Sequence, residues 1–284
     1  MKQTGLVAAA IAVTPSFAFS TAAKPAVGLQ LYSLRDIIKN DIKGIIEKVA
    51  SIGYKEVETY GYSLKNGFWG LDAKQFAALL KANGITSPSG HFGMDNFMAG
   101  KSSDELKSYI EAANLLGSEY VTVPYLGVEI RKTADDYKKI ALKLNEAAVL
   151  CKASGLKLAY HNHDFEFKKF GEISGYDILL KETDKKLVDF ELDLYWAAQS
   201  GVNPINLFKA NPNRFTMWHV KDMDKVNKNL NTEIGKGAVD FKGIFKGAKQ
   251  AGVKHYFVEH EHNYKPDELG SIKESFNYVY NELL

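Results

Sequence analysis

The sequence predicts a single (β/α)8 barrel, an α/β fold with one TIM-barrel domain. Short apolar runs rich in Val, Ile, Tyr and Phe alternate with longer stretches of helical periodicity. Eight such pairs fit into about 260 residues, the size expected of such a barrel. No Gly-x-Gly-x-x-Gly turn follows the first run, so the nucleotide fingerprint of an open doubly wound sheet is missing. With 284 residues, 45% hydrophobic and 25% charged, the chain can bury one large core, and no linker-like stretch divides it.

Each element follows from local chemistry. The first strand is expected over 27–32, with a helix over 42–51 that Gly53 ends, and Glu56–Thr59 is the second strand. Asp72 caps a helix running to 83, before a third strand at 85–91. Ser103 and Asp104 open a helix to 116, Gly117 stops it, and 120–124 is the fourth strand. Thr133 caps a long helix reaching 154, Gly155 ends it, and the fifth strand covers 156–161. A helix over 176–182 precedes the sixth strand at 187–193. Asn203-Pro204 opens the next helix in cap-then-proline order, and 214–220 is the seventh strand. A helix over 241–251, stopped by Gly252, leads to the eighth strand at 256–259, and a helix over 269–284 closes the chain.

Charge and targeting narrow the function classes. The 36 basic and 34 acidic residues give a net charge of +2 with no basic stripe, which excludes a nucleic-acid partner. Lys2, the small apolar run from Gly5 to Val13 and cleavage sites at Ala18-Phe19-Ser20 or Thr21-Ala22-Ala23 read as a signal peptide over 1–23. The barrel domain is then 24–284, exported to the periplasm, with no membrane insertion once the signal is removed. Cys151 is the only cysteine, so no internal disulfide forms, and it reads as a small buried apolar group.

Barrel chemistry sits at the C-terminal strand ends, and metal-ligand residue types gather there. Asp193, in "VDFELDLYW", ends a buried strand and needs a metal, a cation or water; the plainer reading is a cap on the following turn. With His219 in "FTMWHVKD" and Glu259 in "YFVEHEH" it makes a mixed oxygen and nitrogen set suited to one divalent ion, Mn, Co, Zn or Mg. In "LAYHNHDFEF", period-two alternation puts His161 and His163 on one side and Asn162 on the other. Either histidine, or Glu166 on an inward-folded loop, can supply the fourth ligand. Lys221 can polarise a substrate oxygen or shuttle a proton, while Glu58 and His91, the latter between Gly90 and Gly93, suit acid/base or hydroxyl-binding roles. Tyr32, Tyr60, Phe68, Trp69, Phe92, Tyr195 and Trp196 can wall a sugar site, Trp69 from the glycine-rich "KNGFWG" loop.

In their order along the chain, "GLQLYSLRD", "GYKEVE", "SGHFG", "YHNHDFEF", "ELDLYW", "WHVKD", "GKGAVDFKGIF" and "VEHE" resemble the xylose isomerase-like barrel superfamily. That superfamily includes sugar-phosphate isomerases/epimerases, ketose 3-epimerases, inosose dehydratases and endonuclease IV. The resemblance implies a divalent metal on His161, Asp193, His219 and Glu259. Two positions depart from ketose 3-epimerases: His161 stands where many relatives carry glutamate, and Trp196 where those epimerases carry histidine. The "HVKD" and "YHxH" features are similar to inosose dehydratase-like members.

The expectation is a metal-dependent carbohydrate isomerase/epimerase that abstracts a proton next to a metal-polarised carbonyl. Glu259 and His163 transfer protons, Lys221 and His91 assist, and Gln30, Tyr32, Glu58, Trp69 and Trp196 contact substrate. The alternative is a lyase or dehydratase acting on a keto-sugar, a 3-keto-glycoside or inosose; a second is a non-catalytic sugar-binding barrel. The partner is a small carbohydrate, and a homo-oligomer is compatible with the chain.

Overall fold

The computed structural model describes residues 24–284 together with Met1; the expected signal peptide otherwise falls outside the described residues. Eight parallel strands close into a barrel in sequential order: β1 Val27–Gln30, β2 Glu56–Thr59, β3 Thr86–His91, β4 Tyr120–Val123, β5 Lys157–His161, β6 Val188–Asp193, β7 Met217–Val220 and β8 His255–Val258. β1 pairs with both β2 and β8, which leaves no open edge.

The helices between the strands are capped largely as their sequences dictate. Asp72, Thr133 and Ser174 each accept from a backbone N–H three residues on and form capping boxes with Gln75, Asp136 and Asp177. Asn203 accepts from Ile205 N at 2.9 Å ahead of Pro204. The helix Asp104–Leu116 departs from expectation: Ser103 makes no side-chain cap bond, and Ser102 Oγ accepts from Asp104 N at 3.0 Å. The stretch expected as one helix over 241–251 is two, Phe241–Phe245 and Ala248–Ala251. Gly247 sits between them, where a Cβ would lie 2.8 Å from Ile205 and Phe208.

Strand ends also shift. β1 stops at Gln30 because the Gln30 side chain accepts from Tyr32 N at 2.9 Å and starts the 3-10 turn Leu31–Leu34. β7 begins at Met217, since Arg214 turns aside to Leu180 O and Thr183 Oγ1. β8 ends at Val258, but Glu259 N still donates to Val220 O at 3.1 Å, so its side chain stays in strand register. Beyond β6 a short helix, Leu194–Gln199, appears that sequence periodicity alone does not show.

Outward-facing strand residues such as Leu29, Val57, Tyr160, Phe190, Leu192, Trp218 and Val258 pack under the helices in the main core. Inside the barrel, Tyr120, Ala159, Met217 and Phe257 form a separate apolar belt. Gly28 makes room for it: a Cβ there would lie 2.5 Å from the Phe257 ring. Cys151 is buried in the helix Ala134–Ala153, and burial pushes its thiol up to about 12, so it is an inert core residue. Among the described residues, no helix is long and apolar enough to cross a membrane.

Candidate active site

Register brings the inward-facing residues above the belt abreast. Gln30 pairs with Glu58, Glu58 with Ser89, His161 with Glu191, and Asp193 with His219. Period two then puts Glu191 and Asp193 on the same inner face of β6. All of Gln30, Glu58, Glu191, Asp193 and His219 are fully buried.

The innermost group is a histidine–carboxylate cluster. Glu191 Oε2 lies 2.8 Å from His91 Nε2, 3.0 Å from His161 Nδ1 and 3.2 Å from His219 Nε2. Glu58 Oε2 lies 2.7 Å from His219 Nε2 and 3.0 Å from His91 Nε2. Gln30 Nε2 donates to Glu58 Oε2 at 2.7 Å, and Ser89 Oγ donates to Glu58 Oε1 at 2.5 Å. Gln30 and Ser89 therefore hold the Glu58 carboxylate against His91 and His219 at the floor of the site. Burial opposes ionisation of Glu58, but His91 and His219 outweigh it and hold the carboxyl well below its usual range. Burial and the charge of Glu58 push Glu191 up to about 7. Burial works against a charged His91, yet Glu58 and Glu191 raise it to about 9.

The second group uses the other face of the same imidazole. His219 Nδ1 lies 2.9 Å from Glu259 Oε2, and Asp193, His219 and Glu259 are close enough to share one metal ion. Asp193 has two functions available to its two oxygens. Oδ1 caps the helix Leu194–Gln199 by accepting from Tyr195 N at 2.8 Å and Trp196 N at 3.1 Å, whereas Oδ2 is buried with no hydrogen-bond partner. A buried carboxylate oxygen with no hydrogen bond, and with Lys221 Nζ no nearer than 3.8 Å, keeps its lone pairs free for a closer cation, so the donor set fits a divalent metal. His161 Nε2 stands 3.9 Å from Asp193 Oδ2 on the edge of this set. Glu166 is not near it: its carboxylate accepts from Tyr160 OH at 2.5 Å and His163 N at 2.8 Å, turned away from the barrel axis. That corrects the option of an inward-folded Glu166 ligand.

Lys221 closes the group. Its buried Nζ lies 3.3 Å from Glu259 Oε2 and 3.8 Å from Asp193 Oδ2, and it donates to Glu261 Oε1. Burial disfavours the ammonium, but Glu259, Glu261 and Asp193 hold it charged, with a pKa above its usual value. Conversely, burial is outweighed at Glu259, which Lys221 and His219 keep ionised below the usual range. His163 has no such support: burial and then Lys221 push it down to about 3, so its imidazole is neutral.

Above this floor opens a pocket of about 450 Å³ lined by Tyr32, Tyr60, Tyr125, His91, His161, His163, Glu259 and Glu261. Aromatic residues expected along it divide. Tyr32 and Tyr60 form one wall with ring centroids 5.1 Å apart, and Trp69 packs behind Tyr60 at 5.0 Å, backing the wall and not facing the cavity. Trp196 lies against Lys221 and His163, while Phe68, Phe92 and Tyr195 are buried in packing. Sequence reasoning passed over Tyr125, whose ring meets His163 edge-on at 5.3 Å. It also left Glu191 out of the ligand set, although its two-residue spacing from Asp193 was a usable signal.

A family model for the xylose isomerase-like TIM barrel matches residues 46–281. The chain belongs to this family. A sugar phosphate isomerase/epimerase from Parabacteroides distasonis is 26% identical in structure-based comparison, over 95% of this chain and 99% of that one, with a TM-score of 0.77. An inosose dehydratase of Clostridium perfringens is 29% identical over 140 residues, 44% of this chain and 46% of that protein, so the match spans about half its length. An inosose dehydratase of Geobacillus kaustophilus is 24% identical over 234 residues, 71% of this chain and 73% of that protein. These relatives of the xylose isomerase-like chain are enzymes.

Proposed function

We propose that this protein removes the proton next to a carbonyl of an uncharged carbohydrate and then expels a β-oxygen substituent, as a lyase or dehydratase. The observation that carries the reading is the pairing of an ionised carboxylate with a charged lysine on neighbouring strands: Glu259 is the base and Lys221 the acid, 3.3 Å apart. The proton that Glu259 takes from carbon can pass to Lys221, 3.3 Å away, after the lysine has protonated the departing oxygen, which restores both groups. A divalent cation on Asp193, His219 and Glu259, with His161 beside them, would supply Lewis acidity toward the substrate carbonyl oxygen. His91 and His163 then orient hydroxyl groups from the opposite strands, and Tyr32, Tyr60 and Tyr125 shield the ring from water.

Two features favour elimination over epimerisation. Epimerisation needs a base on each face of the carbon, but strand five carries His161 where many relatives carry the glutamate of such a pair. The inosose dehydratase relatives point the same way. The full-length likeness to the Parabacteroides distasonis isomerase/epimerase favours a second reading, isomerisation through the same proton abstraction. Lys221 is already committed to three carboxylates, so the pocket offers no free ammonium for a phosphate, which supports an unphosphorylated substrate. Export, read from residues 1–23, supports the same substrate class and is checked by cell fractionation.

Inososes and 3-keto-glycosides incubated with the enzyme in deuterated water and followed by NMR decide between these outcomes. Loss of water or an aglycone supports elimination, and deuterium uptake with no fragment lost supports isomerisation. Binding without either change leaves a sugar-binding barrel.

A further inference from the structure

Two aromatic rings at the mouth of the pocket remain in water. Tyr32, after β1, is 37% exposed and Tyr125, after β4, is 46% exposed, and both line the cavity. The one other exposed tyrosine, Tyr280, lies under Lys24 Nζ at 4.6 Å. Each rim ring is held by an arginine from its own loop. The Arg35 guanidinium lies over Tyr32 at 4.7 Å, while its Nη1 donates to Tyr264 OH at 3.1 Å and its Nη2 to Glu261 O at 2.5 Å. Arg131 Nη2 donates to Tyr125 OH at 3.1 Å and its Nε to Leu126 O at 2.9 Å, with the guanidinium over Phe165. Fixing an exposed ring costs side-chain entropy that the free chain does not recover by burial, and a ring bound against it does recover it. Between the two tyrosines the wall is formed by Gly61 and Gly93, and a Cβ at Gly93 would meet no atom within 4 Å, so the slot is open.

We propose that this mouth is a second subsite, between Tyr32 and Tyr125, for a neutral ring on the leaving group. The substrate class is then a keto-glycoside with a sugar or aryl aglycone, and not a free keto-cyclitol. The inference rests on the elimination reading above, since elimination is what parts such a substrate into two rings. Lys221, the acid for the departing oxygen, is bonded to Glu261, and Glu261 O is held by the same Arg35 that lies over Tyr32. The departing oxygen and the Tyr32 ring therefore share one side of the pocket. A cavity of about 450 Å³ is within the size range that encloses a ligand of several rings. Charge narrows the class further. Glu259 and Glu261 are the acidic side chains lining the cavity, and both arginines are turned to protein acceptors, so an anionic aglycone is disfavoured. A neutral ring with an apolar face, which sugar and aryl groups both present, fits the tyrosines.

The test is binding of glycosides that carry no carbonyl and so cannot react: methyl β-glucoside, phenyl β-glucoside and cellobiose, each titrated into the full chain by calorimetry. The phenyl compound, cellobiose or both should bind about three- to tenfold tighter than the methyl compound, the gain of one ring contact. Tyr32→Ala and Tyr125→Ala should each bring that ratio toward one. Preference for the phenyl compound alone assigns an aryl aglycone, and preference for cellobiose alone a sugar. Equal affinities in wild type, no binding of any of the three, or a preference that survives both substitutions overturns the subsite. If a tyrosine variant is insoluble, Gly93→Leu, which fills the slot without removing a ring, decides the matter: a preference that it leaves intact also overturns the subsite. Because these compounds cannot eliminate, the subsite can fail while the NMR experiment still shows elimination, and elimination can fail while the ring preference stands.

Discussion

The two ends of the barrel interior balance charge in opposite ways. At the N-terminal end, Glu56 faces His255 at 2.9 Å and Lys157 faces Asp189 at 3.0 Å, one acid to one basic group in each case. At the C-terminal end, Glu58, Glu191, Asp193, Glu259 and Glu261 converge with Lys221 as the one lysine among them, and histidines fill the rest. The belt of Tyr120, Ala159, Met217 and Phe257 separates the two. The paired end needs no visitor, whereas the acid-rich end stays in deficit until histidines protonate or a cation arrives. Structure and chemistry are thus divided along the strand axis, in keeping with the general polarity of such barrels.

The comparison breaks most sharply at His219. His219→Ala strips Glu58, Glu191 and Glu259 of a common partner, so we expect a loss of about 3–5 kcal/mol of stability and of bound metal, read by urea denaturation and metal analysis. Met217→Ala, in the belt below, should lower stability by about 2–5 kcal/mol through the cavity it leaves, with metal content unchanged. A loss of metal in that variant would show that the belt also shapes the site.

Glu166 offers a buried carboxylate outside both ends. Burial raises it from 4.5 to about 7, so the folded chain binds a proton that the unfolded chain has released between those values. Stability should therefore fall as pH rises from 4.5 to 7, by at most about 3 kcal/mol, and be flat below. Glu191 is pushed up to about 7 as well, so Glu166→Gln should reduce that slope without abolishing it, measured by denaturation across the window; an unchanged slope assigns the proton elsewhere. The smallest effect belongs to the paired end. Lys157→Ala breaks a half-exposed ion pair and should change stability by less than about 1 kcal/mol, with turnover as in wild type.

Much of this was readable from residue order. Strand and helix periodicity, capping residues and stop glycines place the elements, and strand-end polarity singles out Asp193, His219, Glu259 and Lys221. Other features were not. Trp69 sits in a glycine-rich loop, but its ring backs Tyr60, a choice made by packing. Tyr125 looks like an ordinary strand-end residue until the barrel closes around it. Asp193 was open to two readings, cap or ligand, and its two oxygens divide them: one meets backbone N–H groups and the other accepts no hydrogen bond.

By itself the sequence determined the barrel, because alternating periodicities and local caps act over a few residues and need no partner from elsewhere in the chain. The tertiary structure alone decided which nitrogen of His219 meets which carboxylate, and that Glu58, from a strand far away in sequence, lies 2.7 Å from it. Imidazole orientation and carboxylate pairing depend on register across a closed sheet, and register is a property of neighbouring strands that no single stretch of sequence contains.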